Sequence, residues 1–194
     1  MKVIPTVVEL AITKLVTGDE FVENVKKVRD KVWSSPPAEL ENNHQWFQCT
    51  IRNATQFQIH FEEAYWESGK FWESPNTVQG FDDMTFSLCN SDDSISKGPA
   101  GGFVFSISLN EEHKFYFSLG LITLANRQHK PGLAGSQSLQ DGYNAAKSWG
   151  RFIESEFLYK IKDKDDNQRC VYFHIKQRIG KEMQIEVIQI FLRE

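Results

Sequence analysis

Cysteine is scarce: Cys49, Cys89 and Cys170 are the only three in 194 residues. An odd, widely spaced set excludes a disulfide framework, so the fold rests on a packed core, in a reducing compartment or in a secreted protein that needs no bridges. No run approaches the roughly 18 apolar residues of a membrane-spanning helix. Basic residues are not in excess, with 22 Lys and Arg against 26 Asp and Glu for a formal charge of −4. With no lysine-rich block either, the chain lacks the positive face of a nucleic-acid binder.

Catalytic and metal-binding patterns are missing too. His44, His60, His113, His129 and His174 are scattered and never fall at ligand spacing, which argues against a zinc site. Gly98-Pro99-Ala100-Gly101-Gly102 has no following Lys-Ser/Thr and leads into a strand, so it is not a phosphate cradle. The adjacent carboxylates Glu62-Glu63 and Asp82-Asp83 point to opposite faces of a strand and do not converge. No G-x-S-x-G frame selects a nucleophile. These absences predict a protein that is not an enzyme and needs neither metal nor cofactor.

What the chain has is aromatic residues, 13 per cent of the total with 15 Phe, 5 Trp and 5 Tyr, which leans toward β structure. Alternating hydrophobicity predicts strands at Trp46–Ile51, Phe57–Phe61, Met84–Leu88, Phe103–Leu109 and Lys114–Leu121, and again at Phe152–Ile161, Cys170–Lys176 and Met183–Phe191. The stretch between Leu121 and Gln137 reads as irregular because of Lys130-Pro131-Gly132, and residues 138–148 read as a short helix. At the N-terminus, Val8, Ala11, Ile12, Leu15, Val22 and Val25 recur at threes and fours, which predicts an amphipathic helix over 6–33 with Gly18-Asp19 at its middle. Glu9 and Lys14 interrupt the first apolar stretch and no cleavage pattern follows, so it reads as folded protein rather than a secretory leader. The expected fold is mainly β, a β-sandwich flanked by two helices, with residues 1–33 as a helical region and 34–194 as the sandwich domain.

Tyr65-Trp66-Glu67-Ser68-Gly69-Lys70-Phe71-Trp72 sets four aromatics beside a Ser-Gly turn. Alternation cannot bury all four, so Tyr65, Trp66 and Trp72 are candidates for an interface where a ring meets a wet edge. Phe47–Thr55, Tyr65–Gly69 followed by Pro75, Lys97–Ile107, Phe115–Gly120 and Met183–Val187 lie in an order and spacing that resembles the actinoporins, the sea-anemone cytolysins. Fungal fruit-body lectins, which bind glycans, share a related sandwich.

The resemblance implies a protein that is soluble until it docks on a lipid headgroup or glycan, then inserts its N-terminal helix into the membrane and self-oligomerises there as a pore. It implies headgroup contacts from Ser68, Ala100, Ser118, Gly120 and Tyr143, and membrane insertion by Val8, Ala11, Ile12, Leu15 and Val22. Where the family has an aromatic-rich loop this chain has Leu121–His129, and the partner of Tyr143 in the short helix is Asn144. A non-lytic recognition module on the same fold is the alternative these departures favour. With no evident signal peptide, the expected location is soluble, either cytoplasmic or released without a leader, and membrane-associated when active.

Overall fold

The computed structural model describes residues 6–10, 14–91, 97–124, 128–148, 152–162, 165, 167–179 and 182–192. Two sheets face each other. The larger contains β1 (Thr6–Leu10), β2 (Trp46–Ala54), β4 (Lys70–Glu73), β5 (Asp83–Cys89), β9 (Phe152–Glu154), β10 (Phe157–Lys162), β11 (Gln168–Ile179) and β12 (Met183–Leu192). Its strands run β1-β10-β11-β12-β2-β5-β4, with β9 attached to β11. The smaller runs β3 (Gln58–Ser68), β6 (Ala100–Ser108), β7 (Lys114–Thr123), β8 (His129–Ala134). Three helices complete the described chain: α1 (Gly18–Asp30), the single turn α2 (Ala38–Glu41) and α3 (Leu139–Ser148). The mainly β sandwich with flanking helices expected from the alternation is the fold.

Alternation builds the core. Phe103, Phe105 and Ile107 of β6, Phe115, Phe117 and Leu119 of β7, and Ile51, Phe173, Ile175, Ile185 and Val187 of the large sheet meet between the layers. Each strand gives every second side chain to this interior. Phenylalanine rings tile it, with Phe105 stacked on Phe117 at 5.4 Å and Phe115 on Phe173 at 5.8 Å. At Gly69, φ +87° turns the chain out of β3 and across to β4 in the other sheet. A Cβ there would lie 2.7 Å from the Cys89 carbonyl oxygen, so only glycine fits this corner.

A continuous helix over 6–33 is not what forms. Thr6–Leu10 is a strand that pairs parallel with β10, from Thr6 opposite Phe157 to Leu10 opposite Ile161. Its β-branched Thr6-Val7-Val8 run suits a pleated surface, and Leu10 and Leu15 belong to the same buried cluster as the sandwich phenylalanines. The helix starts only at Gly18, whose φ of +61° lets the chain enter α1 from a left-handed conformation. Thr17 is the N-cap residue. β4 and β8 are further strands that the alternation did not announce.

α3 lies on the smaller sheet over a row of glycines. Gly102, Gly120 and Gly132 stand directly opposite one another on β6, β7 and β8. A Cβ on them would meet the Leu139 carbonyl oxygen at 2.0 Å, the Gly142 carbonyl oxygen at 1.8 Å and the Ala146 nitrogen at 2.1 Å respectively. Backbone therefore packs against backbone, and the bare strip across three strands fixes where the helix sits.

Candidate functional site

The residues singled out from the sequence fall in several places. Ser68, at the end of β3, donates its hydroxyl to the Gly98 carbonyl at 2.7 Å. Ala100 is buried opposite it in the ladder. Ser118 and Gly120 are buried in β7 beneath Gly142 of α3. Tyr143 stands at the rim of that helix, edge-on to Tyr65 at 5.8 Å between centroids. The Lys147 ammonium lies 4.4 Å from the Tyr143 ring centroid, on a face where an exogenous cation would otherwise sit. Tyr65 donates its hydroxyl to Glu67 at 2.8 Å, and that bond raises the phenol above its ordinary value.

The aromatics Tyr65, Trp66 and Trp72 do not gather on one surface. Trp66 turns inward, edge-on to Phe71 at 4.8 Å and to Phe103 at 5.2 Å. Trp72 is 46% exposed and alternates with the inward Phe71, so it leaves β4 on the opposite side. Among the residues expected to insert into a membrane, Val8 packs from β1 against the core and Leu15 is fully buried, while Val22 is 64% exposed on α1. Ala11 and Ile12 lie outside the described residues.

A larger concavity opens at one end of the sandwich, with a volume of about 780 Å³. It forms where the chain from Ser35 to Gln45 crosses the start of β2 and meets the β7–β8 end of the other sheet. Backbone and side chain lock this crossing: Asn90 donates its backbone N–H to the Gln45 carbonyl at 3.0 Å, and the Gln45 N–H donates to Asn90 Oδ1 at 3.3 Å. Thr123 donates to the Pro99 carbonyl at 2.7 Å, so the Gly98-Pro99 loop is tied both to β3 through Ser68 and to β7. Gly98 lets the loop lie close against β7, since a Cβ there would sit 2.6 Å from Thr123 Cβ.

The half-buried indole of Trp46 lines the cleft, as do the carboxylates Glu41 and Glu182, the amides Asn43 and Gln45, and the imidazoles His44 and His129. The His129 ring packs on Phe47 at 4.6 Å between centroids, and its Nδ1 lies 3.1 Å from Thr123 Oγ1. Burial pushes this imidazole down to about 4, so it is neutral near pH 7.

The unfolded chain takes up the His129 proton near 6.5 and the folded chain only near 4. Stability from this source is therefore whole above about pH 6.5 and is lost as pH falls toward 4. Discounted for the ring's partial exposure, it amounts to about 1–2 kcal/mol. His129→Gln is expected to flatten the fall of Tm between pH 6.5 and 4 relative to the parent, in melts at half-unit steps. Parallel curves for the two proteins would mean that the ring titrates normally.

No protein family and no curated protein matches the chain in sequence. Solved structures resemble its fold. The lipid-binding protein Nakanori aligns over 88% of this chain and 79% of its own, at 14% identity and a TM-score of 0.46. The lectin of Xerocomus chrysenteron aligns over 75% of this chain and all of its own, at 10% identity and a TM-score of 0.36. A mutated form of that lectin gives 9% identity and a TM-score of 0.38 over 76% of this chain.

Trp46 and His129 were not recognised as site residues from the sequence. Trp46 reads as the first position of a strand, which it is, and His129 falls in a stretch whose sequence reads as irregular. The cleft is assembled from segments more than 100 residues apart, and no local pattern announces it.

Proposed function

We propose that the protein is a recognition module that binds an uncharged glycan in the cleft at the end of the sandwich, with its N-terminal segment kept in the fold. The observation that carries this reading is the composition of the cleft wall. An indole face suits the C–H face of a sugar ring, and amides, carboxylates, imidazoles and hydroxyls match the dense donor and acceptor pattern of its hydroxyls. Among the described residues lining it, none is Lys or Arg, and Glu41 repels a phosphate or sulfate. A volume of about 780 Å³ lies within the usual range for small-ligand sites and takes one to a few sugar units.

Insertion of residues 6–33 as a single helix would require β1 to leave the large sheet and Leu15 to leave the core. A membrane releases the segment only if it binds the freed state better than the sandwich does. The strand pairing and burial of this segment support recognition without lysis.

A glycan array probed with the full-length protein tests the reading, followed by calorimetry on the best binder. Trp46→Ala is expected to weaken binding about tenfold, the loss of one stacked ring and its buried area. Absence of binding to any neutral glycan, or full affinity in Trp46→Ala, would refute it.

A further inference from the structure

The outer face of the large sheet carries a second concavity, lined by other residues than the cleft, beneath the C-terminal end of α1. It measures about 370 Å³. Lys176, Glu186 and Arg52 stand side by side across β11, β12 and β2, in ladder register and on the face opposite the core. Arg29 of α1 and Trp33 beyond its end close the walls, with Gln184 beside them. The lining thus holds three cationic side chains and one carboxylate.

Arg52 is only 4% exposed and is immobilised before any ligand arrives. Its guanidinium donates to the Arg29 carbonyl at 3.0 Å and to the Lys31 carbonyl at 2.6 Å, which caps the end of α1. It also lies 3.6 Å from the Trp33 ring centroid. Glu186 receives Arg29 Nε at one oxygen and Lys176 Nζ, 3.0 Å away, at the other. Burial opposes its ionisation, but these two hydrogen bonds outweigh burial and hold Glu186 below the usual carboxylate range. Arg29 engages Glu186 through Nε, which leaves the terminal nitrogens of its fork to serve a further acceptor. The neighbouring carboxylates Asp82 and Asp83 are both held by Lys31.

We infer that this pocket binds the phosphate of a phosphomonoester, with Arg29, Arg52 and Lys176 around the anion and Trp33 and Gln184 beside the group that carries it. An excess of two positive charges matches the dianion, and the indole wall offers an apolar surface to its organic portion. The site stands on its own residues and does not depend on the glycan reading of the cleft.

Calorimetric titration of the full-length protein with inorganic phosphate at pH 8 tests this, where the ion is a dianion. Saturable binding is expected, weakened at least tenfold in Lys176→Gln and in Arg29→Gln, and unchanged in Lys147→Gln on α3. Thermal melts without ligand establish that each variant is folded, and Lys176→Gln, at a partly exposed position, keeps the test available if Arg29→Gln destabilises α1. Cosedimentation with phosphatidylcholine vesicles with and without phosphatidic acid then assigns the source. Binding that requires phosphatidic acid and falls in Lys176→Gln points to a lipid head, whereas phosphate binding without cosedimentation points to a soluble ester. No saturable phosphate binding by the parent, or equal binding by parent and both pocket variants, would overturn the inference.

Discussion

Gly120→Ala is expected to destabilise the protein by about 3 kcal/mol, the upper part of the range for inserting atoms into a packed interior. The added Cβ would fall 1.8 Å from the Gly142 carbonyl oxygen, and that atom belongs to helix backbone, not to the tip of a flexible side chain. Either α3 lifts from the smaller sheet or β7 bends away from it. Lifting would also disturb the matching contacts over Gly102 and Gly132, since the three glycines share one row. Gly135→Ala is the control: its Cβ would meet only Ile153 Cδ1 at 4.0 Å, an ordinary contact, and its expected effect is within about 0.5 kcal/mol of zero. Urea unfolding of the two variants at constant m reads the difference directly. Equal midpoints would show that α3 does not rest on the glycine row.

Leu15→Ala is expected to cost about 3 kcal/mol, the sum of lost transfer free energy and the cavity left in the core. Val22→Ala, on the same apolar periodicity in the sequence, should change stability by less than about 0.5 kcal/mol, because Val22 is 64% exposed while Leu15 is fully buried. The comparison discriminates between two physical pictures. On a single detachable amphipathic helix the two residues share a stripe and have similar burial. In the observed fold, Leu15 lies on the chain between β1 and α1 and is packed into the sandwich, while Val22 faces away. Denaturation midpoints that shift equally would favour the single helix.

Strands that pair with sequence neighbours and alternate cleanly are readable from the chain alone: the alternation at Lys114–Leu121 and Met183–Phe191 falls within β7 and β12. β1 is not readable in this way, because Val8, Ala11, Ile12 and Leu15 also fit a helical period, and what decides between the two is a parallel partner about 150 residues away at Phe157–Ile161. β8 was hidden by Pro131-Gly132, which locally spells a turn. In the fold Pro131 is tolerated because β8 is an edge strand, and Gly132 is needed because α3 lies on it. Asn53-Ala54-Thr55 has the form of a glycosylation sequon, yet Asn53 is fully buried. Its amide donates to the Phe57 carbonyl at 2.6 Å and the Gln79 carbonyl at 2.9 Å, so it serves as an internal turn brace.

The site was less legible than the fold for the same reason of distance. Of the residues chosen from the sequence, Tyr65 and Tyr143 meet, but Lys147 already stands over the Tyr143 ring. The cleft instead draws its polar groups from the α2 crossing, from the start of β2, from the β7–β8 end and from the residue before β12. Single residues in loops carry no periodic signal, and their convergence is a property of the sandwich topology.

Hydrogen exchange at the Thr6–Leu10 amides, measured on protein bound to glycan-bearing vesicles loaded with dye, tests the central claim most directly. Recognition with the N-terminal strand retained predicts β1 protection as in free solution and dye kept inside. Loss of protection across β1 accompanied by dye release would contradict it.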